Sequence, residues 1–341
     1  MISYRNLSIK ELSRLPEFDQ ARPYFIGGKG PDVRAYMKLK GESLRVAGWD
    51  EDSIVYGLKR LAEVSKDCQK YVYHIYPEEA MREQRSKRDA VVIFFPAKIK
   101  KENSESLPYV IVIAGGAFKN VCTVAEAFPV AARLNELGYN VFTLNYRVGG
   151  IRVLPKPVED LAQAVRFIIS HEEDFQVNGA NYVVMGFSAG GTVTGLWGTN
   201  NYGYGQYGLP KPKALIPVYA GINSRYYWNS VMFDAEDDKV SKKKRYDFLR
   251  KTYGSSKVNV ITEFHIDEHA DCNYPPSYLC CCKDDLIVSW KNSLALKEKL
   301  SDLNIPVKLE LGETGGHGYG LGDHVSVRGW IERAMKFVEE L

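Results

Sequence analysis

From about residue 89 onward, hydrophobic and polar positions follow two alternating patterns. Short apolar runs of strand length give way to longer segments in which apolar residues recur at helical spacing. The predicted strands are residues 90–96, 109–114, 140–145, 182–185, 214–219, 278–282 and 307–311. The predicted helices are residues 124–137, residues 158–170, a segment after Ser188 and about residues 329–340. This alternation indicates βαβ units and a mostly parallel sheet in a three-layer α/β/α domain covering residues 89–341.

Residues 1–88 have a different texture, which indicates a mostly helical N-terminal extension. Ser8 and Glu11 fit a capping box that opens a short helix, because each side chain can bond the backbone amide of the other residue. A second helical pattern covers residues 52–64. The extension carries no chemical motif, and we hypothesise that it forms part of a lid or a subunit interface.

Two further segments lie between or interrupt the regular elements. Residues 98–106 are polar and are predicted to form a hairpin-like loop between the first two strands. Residues 222–272 are rich in aromatic and charged side chains and break the strand–helix rhythm. We interpret them as an insertion, placed where a cap over an active site would lie.

Composition narrows the class of protein. Hydrophobic residues are 45% of the chain and charged residues 26%, which is typical of a globular protein with a sizeable core. The formal net charge of +3 is small for 341 residues, so neither nucleic acid nor a membrane is expected as a partner. The sequence shows no secretory apolar segment and no run near the roughly 18–20 residues of a membrane span. We therefore expect a soluble, cytoplasmic protein.

The strongest chemical signal is the pattern G-x-S-x-G at residues 186–190. It follows an apolar strand and precedes a helical pattern, the context in which this motif turns a strand sharply into a helix. Side chains at Gly186 and Gly190 would collide with neighbouring elements in such a turn. Ser188 is therefore the candidate nucleophile, and the amide of Ala189 is a candidate donor to an oxyanion.

A glycine-rich loop after the strand at residues 109–114 is the second signal. Residues 115–118 read Gly-Gly-Ala-Phe, and this position in an α/β sheet supplies the other oxyanion donors. The amides of Gly116 and Ala117 are the candidates, and each such donor typically contributes about a hundred- to thousandfold in rate. The candidate substrate contacts are two aromatic residues beside these motifs, Phe118 and Phe187.

A general base and an acid are expected after the nucleophile. The glycine-flanked His317 follows the last predicted strand and is the candidate base, with His324 as the main alternative. Asp284 and Asp285 follow the preceding strand, and spacing alone does not choose between them. The chain order Ser, Asp, His is the one expected of a nucleophile elbow in this type of sheet.

With these motifs in this order, residues 89–341 resemble the esterase/lipase branch of the α/β-hydrolases, close to bacterial acetyl-esterase- and feruloyl-esterase-like proteins. The family's His-Gly-Gly-Gly-aromatic loop corresponds to residues 114–118, with Ala114 in place of histidine and Ala117 in place of glycine. The remaining family motifs correspond to residues 145–147 (Asn-Tyr-Arg), 159–160 (Glu-Asp) and 315–318 (Gly-Gly-His-Gly). By the same resemblance the acid maps to Asp285, three residues before Val288, and Cys281 stands where a histidine is common.

The resemblance implies an α/β-hydrolase fold and acyl transfer to water through an acyl-enzyme on Ser188, with His317 as base and Asp285 orienting it. The expected substrate is a small-molecule ester, short-chain, carbohydrate-borne or hydroxycinnamoyl, and homo-oligomerisation is left open. No metal or organic cofactor is needed for this reaction, and the alternating histidine and acidic residues at 265–271 do not match the usual zinc spacings. The alternatives are a peptidase or acyltransferase on the same scaffold, or a non-catalytic ligand-binding protein.

Overall fold

A computed structural model describes residues 4–98, 107–229, 239–257 and 261–341. Within these residues eight strands form one sheet: β1 (Val72–His74), β2 (Val91–Phe95), β3 (Tyr109–Ile113), β4 (Val141–Asn145), β5 (Tyr182–Phe187), β6 (Ala214–Val218), β7 (Ser277–Cys282) and β8 (Val307–Gly312). Their order across the sheet is β1-β2-β4-β3-β5-β6-β7-β8. The pairs β1–β2 and β2–β4 are antiparallel, and the others are parallel. The predicted α/β/α fold with a mostly parallel sheet is confirmed.

The helices of the described residues cover both faces of this sheet. They are α1 (Ile9–Ser13), α2 (Pro31–Tyr36), α3 (Glu42–Val46), α4 (Glu51–Asp67), α5 (Glu78–Glu83), α6 (Thr123–Glu136), α7 (Pro155–Ser170), α8 (Glu172–Phe175), α9 (Ala189–Leu196), α10 (Lys239–Tyr253), α11 (Ile266–His269), α12 (Lys291–Asp302) and α13 (Trp330–Glu339). Because helices cover it on both faces, every residue of strands β2 to β7 is buried.

The pairing of β2 corrects the predicted hairpin. β2 pairs antiparallel with β4, with Phe95 opposite Val141, whereas β3 pairs with β4 and β5 and not with β2. The two strands are adjacent in sequence but separated by β4 in the sheet, so the segment between them is not a hairpin turn. Of the predicted loop at residues 98–106, residues 99–106 lie outside the described residues.

β1 and α12 were not predicted from the sequence. β1 is three residues long and partly exposed at the edge of the sheet, so it carries no apolar run. α12 is rich in lysine and polar residues, and it buries Leu296 and Leu300 together with Asn292 and Ser293. Burial of polar side chains on its inner face weakens the periodic signal that a helix normally gives.

Residues 4–88 pack into the same hydrophobic core as the sheet domain. Helices α4 and α6 approach so closely that a Cβ at Gly57 would lie 2.6 Å from the backbone nitrogen of Pro129. Tyr76 donates a hydrogen bond to the buried Asp160, which also accepts from the guanidinium of Arg147. A hydrogen bond to a charged group typically contributes about 1.5–3 kcal/mol, so the contact between Tyr76 and Asp160 fastens the extension to the sheet domain.

The two ends of the insertion contact each other, and the first end also contacts the sheet domain. The Ser224 hydroxyl lies 2.7 Å from His265 Nε2, and the Ile222 and Asn223 amides donate to the side chain of Asn292 at the start of α12. Between these ends, α10 runs beside the entrance to the candidate active site. No helix in the described part of the chain is long and apolar enough to cross a membrane.

Candidate active site

Ser188 lies at a sharp turn between β5 and α9. Its backbone has φ 51° and ψ −116°, a strained conformation for a residue with a side chain. A Cβ at Gly186 would lie 2.2 Å from the Thr194 hydroxyl oxygen, and one at Gly190 would lie 2.1 Å from the Ile113 carbonyl oxygen. Both glycines are therefore required for the turn, as the G-x-S-x-G pattern predicts.

The structure brings the three predicted triad residues together. His317 Nε2 lies 2.8 Å from Ser188 Oγ, and His317 Nδ1 lies 2.7 Å from Asp285 Oδ2. The Asp285 side chain is fully buried, and its other oxygen accepts hydrogen bonds from the amides of Ile287 and Val288 at 2.8 and 2.9 Å. These two bonds fix the carboxylate, which in turn orients the imidazole toward the serine.

The structure also separates the two aspartates that spacing alone left open. Asp284 does not face the histidine ring but accepts hydrogen bonds from the amides of Gly315 and Gly316, at 3.1 and 2.8 Å. It therefore holds the loop that carries His317. The alternative base, His324, is 70% exposed and lies 3.7 Å from Asp50, away from Ser188.

The loop after β3 has an unusual backbone. Gly116, Ala117 and Phe118 have φ values of 133°, 52° and 58°, three consecutive residues in the region that favours glycine. A Cβ at Gly116 would lie 2.2 Å from the Asn120 carbonyl oxygen, so only glycine fits there. The Phe118 carbonyl accepts a hydrogen bond from Gly149 at 2.9 Å, which holds the end of the loop. Ala117 thus adopts a glycine-like conformation at the position where the resembling family has glycine.

A cavity of about 790 Å³ opens above Ser188. Ala117, Phe118 and Ala189 line it beside the serine, whereas Gly116, the third predicted oxyanion donor, is not among its lining residues. Its outer walls come from the two segments for which the sequence suggests a lid or interface and a cap. The N-terminal extension contributes Lys29, Pro31 and Asp32, and α10 of the insertion contributes Asp247, Phe248, Lys251 and Thr252.

Phe187 does not line this cavity, so its predicted contact with substrate has no counterpart in the structure. It is the last residue of β5 and is fully buried. Its ring packs edge-on against Trp330 and tilted against Tyr219. Successive strand residues point to opposite faces of a sheet, so adjacency to Ser188 in sequence does not bring Phe187 into the pocket.

Two residues near the site, Glu126 and its partner Tyr219, were not identified as site residues from the sequence. Glu126 on α6 is 4% exposed; it accepts a hydrogen bond from the Gly115 amide at 2.5 Å and one from the Tyr219 hydroxyl at 3.0 Å. Burial raises the pKa of Glu126, while its bond to Gly115, the charge of His317 and its bond to Tyr219 act in the opposite direction. The sequence feature that could have identified Glu126 is a glutamate in the largely apolar first half of α6. A charged residue buried among apolar ones almost always has a partner.

The described residues contain no group of three or more histidine, cysteine, aspartate or glutamate side chains that could hold a metal ion. His265, from the alternating polar segment, instead contacts Ser224 and Glu268, at 2.7 and 3.1 Å. Each of the six cysteines is a free thiol.

The strand order, the elbow at Ser188 and the loop after β3 define an α/β hydrolase of the esterase type. The BD-FAE family model matches residues 93–300. The match covers more than half of the chain, and the chain belongs to the BD-FAE family.

Related sequences agree with this class. Endo-1,4-beta-xylanase B of Butyrivibrio fibrisolvens is 26% identical over 224 residues, covering 64% of this chain and 34% of that protein. Acetylxylan esterase of Xylanibacter ruminicola is 24% identical over 62% of this chain and 41% of its own length. Esterase LipC of Mycobacterium tuberculosis is 25% identical over 63% of this chain and 54% of its own. The chain thus spans about a third to a half of the length of these relatives.

Solved structures share the fold. An acetyl ester-xyloside bifunctional hydrolase from Caldicellulosiruptor lactoaceticus superposes with a TM-score of 0.58 at 23% identity, over 74% of this chain and 88% of that one. The esterase Est2 of Thermogutta terrifontis, with propionate bound, has a TM-score of 0.59 at 16% identity, over 79% of this chain and 93% of that one. At these identities the likeness establishes the α/β-hydrolase architecture.

Proposed function

We propose that this protein is a serine carboxylesterase that hydrolyses its substrate through an acyl-enzyme on Ser188. The observation that carries the proposal is the unbroken chain of contacts from Ser188 Oγ through His317 to Asp285, at 2.8 and 2.7 Å, at the base of an open cavity. A serine hydroxyl is a weak nucleophile unless an adjacent base removes its proton, and a third group must orient that base. All three roles are filled here.

The reaction follows from this geometry. His317 Nε2 takes the hydroxyl proton as Ser188 attacks the ester carbonyl, and Asp285 stabilises the imidazolium that forms. The negative oxygen of the tetrahedral intermediate is held by the Ala189 amide, which has no partner within α9 because it opens the helix. The Gly116 and Ala117 amides are the proposed second contribution. The imidazolium then protonates the leaving alcohol, and water releases the acyl group by the same steps.

Cavity shape and relatives together suggest the substrate class. The cavity has the size of a small-molecule site, and its wall near Ser188 is apolar, with Phe118, Ile151, Val153 and Ile287 among its side chains. Two of the matched proteins are named for acetyl esters of xylan or xylosides. We propose short-chain or hydroxycinnamoyl esters, including those carried on sugars, as the substrates.

A combined labelling and rate measurement tests the proposed function. The purified protein is incubated with diethyl p-nitrophenyl phosphate, and p-nitrophenyl esters from acetate to decanoate are assayed before and after. We expect one phosphoryl adduct per chain, located by peptide mass spectrometry on Ser188, and complete loss of the activity toward short acyl chains. An unlabelled Ser188 in a folded protein that still binds esters would instead favour the non-catalytic alternative, and hydrolysis of amides but not esters would favour a peptidase.

The extension and the insertion are proposed to set the length of chain that the cavity accepts. Phe248 of α10 lines the cavity, so Phe248→Ala is expected to raise the kcat/KM ratio of decanoate to acetate by about tenfold, since added methylene groups would gain room. Tyr246→Ala is the matched control, because Tyr246 lies on the same helix, is 53% exposed and is absent from the cavity wall. An equal change in both variants would contradict a specific role for α10.

A further inference from the structure

The buried carboxylate of Glu126 links the two loops that flank Ser188. One carboxylate oxygen accepts from the Gly115 amide at 2.5 Å, at the start of the loop after β3. The other accepts from the Tyr219 hydroxyl at 3.0 Å, at the end of β6. The two loops are distant in sequence, and the carboxylate bridges them directly.

We propose that Glu126 is a positioning residue for the reaction at Ser188, holding the oxyanion loop through Gly115 and the base through Tyr219. The inference rests on the proposed serine-esterase function and deepens it. Glu126 does not contact the reacting atoms itself. It acts through the oxyanion loop and the base, which do contact them.

Glu126 restrains the oxyanion loop at Gly115. A Cβ on Gly115 would lie 2.8 Å from Ser188 Cβ and 3.0 Å from Glu126 Oε2, so this peptide is confined between the nucleophile and the carboxylate. The next three residues all have positive φ. A backbone in that conformation persists only when its surroundings over-determine it. The bond from the Gly115 amide supplies a charge-assisted restraint at the point where this strained segment begins.

Glu126 restrains the base through Tyr219. The Tyr219 ring lies 4.8 Å from the His317 ring, measured between centroids, and Tyr219 itself has a positive φ of 36°. Its hydroxyl donates to Glu126 and accepts from the Gly320 amide at 3.2 Å, in the loop that follows His317. Glu126 therefore restrains both the aromatic surface against the imidazole and the loop that carries it.

The charge of Glu126 adds an electrostatic contribution. Both bonds to its carboxylate are donated by its partners, which is the pattern of an ionised acceptor. The other titratable groups that interact with it are Cys122, Tyr36 and Tyr146, whose pKa values are raised and which stay neutral near pH 7. His317 is the cation it would face, together with Asp285 on the opposite ring nitrogen. A buried negative charge favours the imidazolium form, which is also the form that develops in the transition state.

Glu126→Gln keeps the shape and removes the charge, so it separates these contributions. We expect kcat for p-nitrophenyl acetate to fall at least tenfold with KM changed less than threefold. Rates are expressed per active site, titrated with diethyl p-nitrophenyl phosphate. Glu136→Gln is the matched control, since Glu136 lies on the same helix, pairs with Arg133 and is 39% exposed.

Tyr219→Phe keeps the ring and the charge but removes the link to the base, so kcat is expected to fall severalfold with KM changed less than threefold. It also decides the matter if Glu126→Gln fails to fold, since a wild-type kcat in Tyr219→Phe would overturn the proposal. A Glu126→Gln enzyme with wild-type kcat, or one in which KM rises as much as kcat falls, would overturn it as well. Failure of the proposed esterase function is distinguishable, because it would show in the wild type. The rate of Ser188 phosphorylation would then replace kcat in the same comparison.

Discussion

Ser188→Ala is expected to lower kcat for p-nitrophenyl acetate by about 10⁴- to 10⁶-fold. The covalent intermediate cannot form without the hydroxyl, and the oxyanion donors alone retain only a small rate over that of water. The serine backbone already adopts φ 51°, and alanine at this position is no bulkier, so the elbow is expected to keep its geometry. The measurement is steady-state hydrolysis across the acyl series, with ester binding checked separately by competition.

Ser224→Ala is the matched control for this prediction. Like Ser188, Ser224 lies within hydrogen-bonding distance of a histidine: its hydroxyl is 2.7 Å from His265 Nε2. His265 in turn contacts Glu268. This second serine–histidine–acid cluster is 2% exposed at the serine and 1% at the histidine, and neither residue lines the cavity. We expect its removal to leave kcat within about threefold of the wild type. Retained activity in Ser188→Ala, or its loss in Ser224→Ala, would move the nucleophile away from Ser188.

The second largest expected effect is the difference in kcat between the variants Asp285→Asn and Asp284→Asn. Asp285→Asn is expected to reduce kcat by about 10³- to 10⁴-fold, because an amide at this position favours the wrong imidazole tautomer and cannot stabilise the imidazolium. Asp284→Asn is expected to cost less than about tenfold. Its side-chain oxygen can still accept from one of the Gly315 and Gly316 amides, and the loop loses only one restraint.

The comparison is made as kcat per active site at a pH above the acid limb, together with thermal unfolding of both variants. Equal losses of activity in the two variants, with equal thermal stability, would mean that the aspartates share the role assigned to Asp285. A larger loss for Asp284→Asn would reverse the assignment. Either result would also revise the contact of 2.7 Å on which the assignment rests.

The local chemistry of the site was predictable because it depends on short-range constraints. A strand that turns into a helix around a serine must have glycine at Gly186 and Gly190, since neighbouring atoms lie within about 2 Å of any added Cβ. The capping box at Ser8 and Glu11 is equally local and is present as predicted. Chain order then restricted the base to the loop after the last strand, where His317 lies.

The contacts that cross between elements were not predictable in this way. Spacing did not choose between the adjacent aspartates Asp284 and Asp285, and the mapping to Asp285 came from the family resemblance. In the structure, the direction of each side chain in the folded loop places Asp285 at His317 and Asp284 at the glycine amides. Phe187 shows the same limit, since the alternation of a strand sends it to the core while Ser188 faces the cavity.

What the sequence by itself determined is the class of fold, the elbow at Ser188 and the order of the candidate catalytic groups, because periodicity and steric limits on glycine act within a few residues. Only the tertiary structure decided that β2 pairs with β4, that Lys29, Pro31, Asp32 and part of α10 line the cavity, and that Glu126 joins the loops on either side of the serine. These are long-range pairings, in which a side chain's partner is set by how distant elements pack and not by its neighbours along the chain.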